Sequence, residues 1–234
     1  MPAAMPAAMP AAMPDLAIFD RRADAAAAFL GRCAGVDGGI APALELLGRM
    51  LPDAPRRGVE NRQLHSARCV EAEVGERHEA DALWTLERDL ALIVYTADCV
   101  PVLLAGPTVV AAAHAGWRGL ASGVLPATIA ALADPAGSLT AWIGPAIGAC
   151  CYQVSEEVAF AVAATSSSRA RVELVPRPHL DLAGAAAAQL EACGVRDVRL
   201  LTHCTGCHPD RLWSYRRHGA TGRRNHALVW RLRD

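Results

Sequence analysis

Two imidazoles and one thiol at separated positions, His65, Cys99 and His114, are the side chains best suited to chemistry in this sequence. They are good ligands for a zinc-like divalent metal. Three protein ligands leave one coordination position open, which distinguishes a catalytic zinc site from a closed structural one. Each lies in a short phrase: Gln63-Leu64-His65-Ser66, Thr96-Ala97-Asp98-Cys99 and His114-Ala115-Gly116-Trp117-Arg118-Gly119. Gly116 lets backbone approach a bound group closely. Trp117 offers an apolar wall, and Arg118 a fixed cation able to grip an anion bidentately. Asp98 could orient a ligand or act as a base. The gaps of 34 and 15 residues match no compact metal motif. Taken singly, each residue reads more readily as a packed core side chain.

Three further clusters carry weaker signals. His203-Cys204-Thr205-Gly206-Cys207-His208 contains a C-x-x-C, but there is no second C-x-x-C to complete a zinc ribbon, and the adjacent pair Cys150-Cys151 cannot supply that spacing. The plain reading is a turn with two ordinary thiols. Trp213-Ser214-Tyr215-Arg216-Arg217 could recognise phosphate or carboxylate or stack on a flat base, with Arg216 the candidate substrate-binding residue; a solvated charged face is the alternative. Ile143-Gly144-Pro145-Ala146-Ile147-Gly148 reads as a shaped loop and lacks the form of a dinucleotide fingerprint.

The elements that must hold these residues read as a mixture of strands and helices. Ala91–Tyr95, Val100–Leu104, Thr108–Ala113, Leu139–Ile143, Val198–Thr202 and Ala227–Leu232 are short apolar runs expected to be strands. Cys99 and His114 thus follow strands, at the ends of a sheet where substrates usually bind. Asp24–Arg32 with Asp24 as cap, Pro42–Met50, Gly119–Ala133, Ser155–Ala163 and Asp181–Cys193 are expected helices. The order lacks strict βαβ alternation, so an α/β fold with mixed sheets flanked by helices is expected.

Bulk composition sets outer limits. The 234 residues, 53% of them apolar, suit one large domain over 15–234 with an ample core. Met1 to Pro14, a thrice-repeated MPAA unit, is expected to be a disordered tail and fails as a secretory signal. The eight cysteines are expected to be reduced, in a cytoplasmic protein. The net charge of −1, with no basic run, argues against a nucleic-acid binder. No apolar stretch is long enough to span a membrane.

Taken together, the phrases resemble the laccase-domain or polyphenol-oxidase family, the YfiH-type proteins described as purine nucleoside phosphorylases. The matching stretches are Gln63–His65, Asp81-Ala82-Leu83-Trp84-Thr85, Thr96–Leu104, Ala111–Gly119, Ile143–Val154, Cys204-Thr205, Ser214–Arg217 and Thr221-Gly222-Arg223. The resemblance implies a single α/β domain with mixed sheets. It implies a catalytic zinc on His65, Cys99 and His114, with copper a lesser possibility. It implies phosphorolysis of adenosine, inosine, guanosine and methylthioadenosine, with deamination of adenosine as a second activity. Purine nucleosides and phosphate would be the partners, and the protein a monomer or homodimer. Beside this resemblance, Asp98 and Arg118 are the candidate catalytic residues. Copper-dependent phenol oxidation and a non-catalytic, metal-stabilised binding module are the rival readings. Ala17 to Gly48 departs from the family, lacking its arginine and glycine-rich serine phrase.

Overall fold

In the computed structural model, residues 17–32, 36, 38–166, 171–172, 177–201 and 203–233 are described. The expected tail, Cys33 and Thr202 lie outside them.

In chain order the elements are β1 (Ala17–Arg21), β2 (Ala25–Leu30), α1 (Ile40–Met50), β3 (Arg57–Glu60), β4 (Cys69–Glu71), β5 (Ala82–Thr85), β6 (Leu90–Thr96), β7 (Val100–Ala105) and β8 (Val110–Ala115). Then come α2 (Trp117–Ala121), α3 (Val124–Ala131), β9 (Thr140–Ile143), α4 (Glu156–Thr165), β10 (Arg171–Val172), β11 (His179–Leu180), α5 (Leu182–Ala192), β12 (Asp197–Leu200), α6 (Tyr215–His218) and β13 (Asn225–Arg231). One sheet has the order β1-β2-β13-β6-β3, a second the order β12-β9-β7-β8-β5-β4, and β10 with β11 makes a small ribbon. Both large sheets mix parallel and antiparallel pairs, as the irregular element order predicts.

Strand alternation sorts the side chains into layers. Leu90, Leu92 and Val94 of β6 face Leu103 and Ala105 of β7 and Trp142 of β9 in a core between the two sheets. Ala91 and Ile93 point the other way, into a layer covered by Leu46 and Leu47 of α1. Val102 and Leu104 of β7 face the helical layer of α2–α5. The sheets are therefore buried on both sides, and their strands read as continuous apolar runs. Leu92→Ala, between the sheets, would cost about 2–5 kcal/mol. The hydrogen bond from Trp142 Nε1 to Asp20 Oδ2, 2.7 Å, ties the two sheets together at one edge.

The expected helix at Asp24–Arg32 is corrected: the segment is β2, antiparallel to both β1 and β13. Alanine favours helices, but this run is buried on both faces, Ala27 and Phe29 inward and Ala26, Ala28 and Leu30 toward α1. Packing on two sides decides the conformation against intrinsic preference. The single helix expected over Gly119–Ala133 is two, broken at Ser122-Gly123, where Gly123 takes φ +80°. That left-handed backbone is open to glycine at little cost. The helices at Pro42–Met50, Ser155–Ala163 and Asp181–Cys193 are present, with Ser155 and Asp181 accepting the capping N–H bonds. Among the described residues no helix is long and apolar enough to cross a membrane.

Candidate metal centre

The three predicted ligands converge. One ligand atom from each of His65, Cys99 and His114 lies within 4.8 Å of the others. Cys99 sits in the tight connection between β6 and β7. His114, expected to follow its strand, lies inside β8, one residue before the strand's end, and is paired with Pro101 of β7. His65 comes from the loop between β3 and β4. Its ring meets that of His114 edge-on, with centroids 4.8 Å apart.

The backbone is strained where it delivers these groups. His65 has φ +61° and Asp98 φ +86°, both non-glycine residues in the left-handed region. Such outliers cost on the order of 1–3 kcal/mol each and persist where surrounding contacts over-determine them.

The determining contact at His65 and His114 is Asp81, which is wholly buried. Its Oδ1 accepts from the backbone N–H of His65 at 2.9 Å, and its Oδ2 from the N–H and hydroxyl of Ser66, each at 2.7 Å. Oδ1 also lies 2.9 Å from Nδ1 of His114. An ionised carboxylate only accepts, so Nδ1 carries the proton and Nε2 is left as the ligand atom. Burial pushes the Asp81 carboxyl up, but the bonds from His114 and Ser66 outweigh it and hold it well below the usual carboxylate range.

Cys99 is suited to ligation. Burial raises its thiol, yet the His114 and His65 imidazoles more than offset this and bring it down to about 6. The same pairing acts reciprocally on His114: burial lowers it, and the Cys99 thiolate and Asp81 lift it to about 9. Gly116 leaves the space between ligands clear, since a Cβ there would lie 2.9 Å from Cys99 Sγ and 3.1 Å from His65 Cδ2. His114 is buried, Cys99 half-buried and His65 exposed, so the set opens to solvent on one side. A soft thiolate, two imidazoles and one open side fit a zinc-like or copper-like ion.

The other predicted residues surround this set. Asp98 contacts neither histidine by a hydrogen bond. It accepts instead from Thr205 Oγ1 at 2.5 Å and from the backbone N–H of Arg216 at 2.7 Å. The orienting carboxylate of His114 is therefore Asp81, whose phrase the sequence displays but whose role only the fold reveals. Arg118 is exposed, its guanidinium 4.4 Å from the Trp117 ring centre. Among the described residues that guanidinium makes no hydrogen bond or salt bridge. Arg216 reaches the carbonyls of Cys151 and Gln153, at 3.5 and 3.2 Å, and lies 5.3 Å from the Tyr152 ring centre. Tyr152, not singled out by sequence reasoning, sits within the fields of Cys99, Arg216, Asp98 and Arg118. Burial and the Cys99 thiolate push its phenol up to about 12 against the two arginines. A cleft of about 540 Å³, lined by Gly38, Glu60, Gln63, Arg77, Tyr95 and Arg224 among others, adjoins the loop bearing His65. None of the three ligand residues lines it.

The cysteine clusters require a second correction. Cys150, Cys151, Cys204 and Cys207 meet in space, their sulfurs all within 4.8 Å of one another. The C-x-x-C is thus not an isolated turn, because the fold brings the adjacent pair to it.

Two face-packed mixed sheets that bring two imidazoles and a thiol together on one open side define an α/β protein with a candidate metal site. The chain belongs to the multi-copper polyphenol oxidoreductase laccase family, which it matches over residues 41–231. It is 43% identical over 205 residues to the purine nucleoside phosphorylase SCO2081 of Streptomyces coelicolor, covering 83% of this chain and 84% of the relative. It is 39% identical over 206 residues to the purine nucleoside phosphorylase PA4543 of Pseudomonas aeruginosa, covering 79% and 84%. The crystal structure of Neisseria meningitidis protein NMB0706 superposes with a TM-score of 0.80 at 33% identity, over 92% of this chain and 98% of that one.

Proposed function

We propose that the protein is a zinc-dependent purine nucleoside phosphorylase acting on adenosine, inosine, guanosine and methylthioadenosine, with adenosine deamination as a second activity. The observation that carries the reading is the three-ligand set with one open side, in a chain whose relatives bear the phosphorylase name. His65, Cys99 and His114 would hold the metal. When bound, such a metal supplies Lewis acidity to an oxygen of phosphate or water.

The chain's own residues do the rest. Arg118, one residue beyond Trp117 and two beyond Gly116, grips phosphate as a cation with no described acidic partner to compete for it. Cleavage of the glycosidic bond builds positive charge on the sugar and negative charge on the purine, so fixed dipoles and charges aimed at both accelerate it. Asp98 holds or takes a proton, its carboxylate fixed by Thr205 and the Arg216 amide. Arg216 and Tyr152 present a cation and a flat ring beside the site for the substrate. Asp81 keeps the His114 proton on Nδ1 throughout.

The family description keeps copper-dependent phenol oxidation as a second reading. A multicopper oxidase needs several histidine-rich copper positions, and the only set containing two histidines among the described residues is the one above. The experiment is to measure bound metal and base release from adenosine and inosine, with and without phosphate. Loss of one zinc ion per chain in Cys99→Ser, together with phosphate-dependent base release in the wild type, supports the proposal. Zinc-replete protein with no nucleoside turnover defeats it.

A further inference from the structure

The loop after β9 and the loop after β12 run on from two parallel paired strands. They stay together: Ala146 bridges Cys204, and the Thr205 N–H donates to the Ala146 carbonyl at 3.0 Å. Cys150 and Cys151 come from the first loop, Cys204 and Cys207 from the second. The sulfurs of Cys150 and Cys204 are 3.5 Å apart, those of Cys150 and Cys207 3.4 Å, and those of Cys151 and Cys207 3.6 Å. A tetrahedral zinc places each sulfur about 2.3 Å from the ion, which sets sulfur–sulfur separations of roughly 3.8 Å. The free thiols therefore already stand near the edge lengths of such a tetrahedron.

The surroundings are built for convergence. A Cβ on Gly206 would lie 2.8 Å from Cys151 Cβ, and one on Gly148 3.3 Å from both Cys150 Sγ and Cys204 Cβ. A side chain at Gly206 would force the two loops apart, and one at Gly148 would press on two of the cysteines by a few tenths of an ångström. The Gly148 N–H donates to Cys204 Sγ at 3.2 Å, the kind of outer contact that steadies a thiolate ligand. Arg217 Nε donates to the Gly206 carbonyl at 2.9 Å, and Arg216 to that of Cys151. Two guanidiniums thus flank a cluster that four thiolates and one divalent ion would leave dianionic. Without a cation, burial and the neighbouring Cys207 and Cys204 thiols push the Cys150 and Cys151 thiols upward. A bound metal reverses that by holding the thiolates directly.

We infer that Cys150, Cys151, Cys204 and Cys207 form a second, closed metal site that binds zinc through four thiolates and braces the first. Four protein ligands leave no open position, so the site is structural. Its mechanical output is Thr205, which lies inside the Cys204–Cys207 turn and donates to Asp98, the neighbour of Cys99. The staple thus holds the turn that delivers the Cys99 ligand. The inference is independent of the reaction assigned above.

Zinc content read by elemental analysis and native mass spectrometry tests it. Wild-type protein should hold about two zinc ions per chain, and Cys99→Ser and the double variant Cys150→Ser/Cys207→Ser about one each. Cobalt loaded into Cys99→Ser should give the intense visible and near-ultraviolet bands of a tetrahedral tetrathiolate. Should the double variant fail to fold, alkylation of the native wild-type protein decides: zinc should shield all four thiols from iodoacetamide until a chelator is added. Loss of all zinc in Cys99→Ser alone overturns the inference. So do an iron–sulfur chromophore at the four cysteines, disulfides among them under non-reducing mass spectrometry, or ready alkylation of the zinc-loaded wild type.

Discussion

Nδ1 of His114 lies 2.9 Å from Oδ1 of Asp81, and the same carboxylate gathers the N–H groups of Leu64, His65 and Ser66. One buried side chain therefore fixes the tautomer of one ligand and the strained turn that presents another. Asp81→Asn keeps the shape but removes the charge and places an N–H₂ where at least one donor already points. Metal affinity should fall by ~10–100-fold, the usual cost of losing an outer-shell partner. Competition against a chromophoric chelator measures it, and an unchanged affinity would show that His114 orients itself without help.

Arg118 is assigned to phosphate, so Arg118→Ala should raise the phosphate KM by ~10–100-fold, the worth of one charge-assisted hydrogen bond. Zinc content should stay at the wild-type level, because the side chain touches none of the ligands. Unchanged phosphate kinetics would remove Arg118 from the site.

Gly116→Ala tests the room between the ligands. The new methyl group would press on Cys99 Sγ at 2.9 Å and His65 Cδ2 at 3.1 Å. Overpacking of this kind costs about 1–3 kcal/mol, and here the neighbours that must give way are the ligands. Weaker zinc binding with only a modest drop in melting temperature is expected. Full zinc affinity in the variant would mean that the ligands are free to shift.

The edge contact between the sheets has its own pH signature. Burial raises the Asp20 carboxyl, and the hydrogen bonds from Arg199, Trp142 and the Arg21 N–H outweigh it, so its native value is depressed. A depressed carboxylate adds stability that is complete above its unfolded value of about 3.9 and disappears as pH falls through the native one. Thermal melts of wild type and Asp20→Asn should therefore differ near neutrality and converge in acid. A gap that stays constant with pH would assign the effect to shape and not to charge.

The ligand set was legible because each ligand stands in its own short phrase, and the strands around Cys99 and His114 announce themselves by apolar runs. Asp81 was visible as a residue but not as a partner: of its five carboxylate contacts, the one from His114 depends on the pairing of β5 with β8, and the four from Leu64, His65 and Ser66 on the path of the loop between β3 and β4. Cys150 and Cys204 are 54 positions apart. Their meeting depends on β9 and β12 being parallel neighbours, a fact of topology that no local spacing encodes. The β2 alanines misled for the opposite reason, because local propensity spoke clearly and was overruled by burial on both faces.

The position of β13 between β2 and β6 has a consequence for the timing of folding. The five-stranded sheet cannot close until a strand near the far end of the chain inserts between two made much earlier, and such non-local pairing is slow. Until then β6, which leads directly into Cys99, lacks one of its two neighbours. Metal capture by the three candidate ligands should therefore wait on the insertion of β13 beside β6.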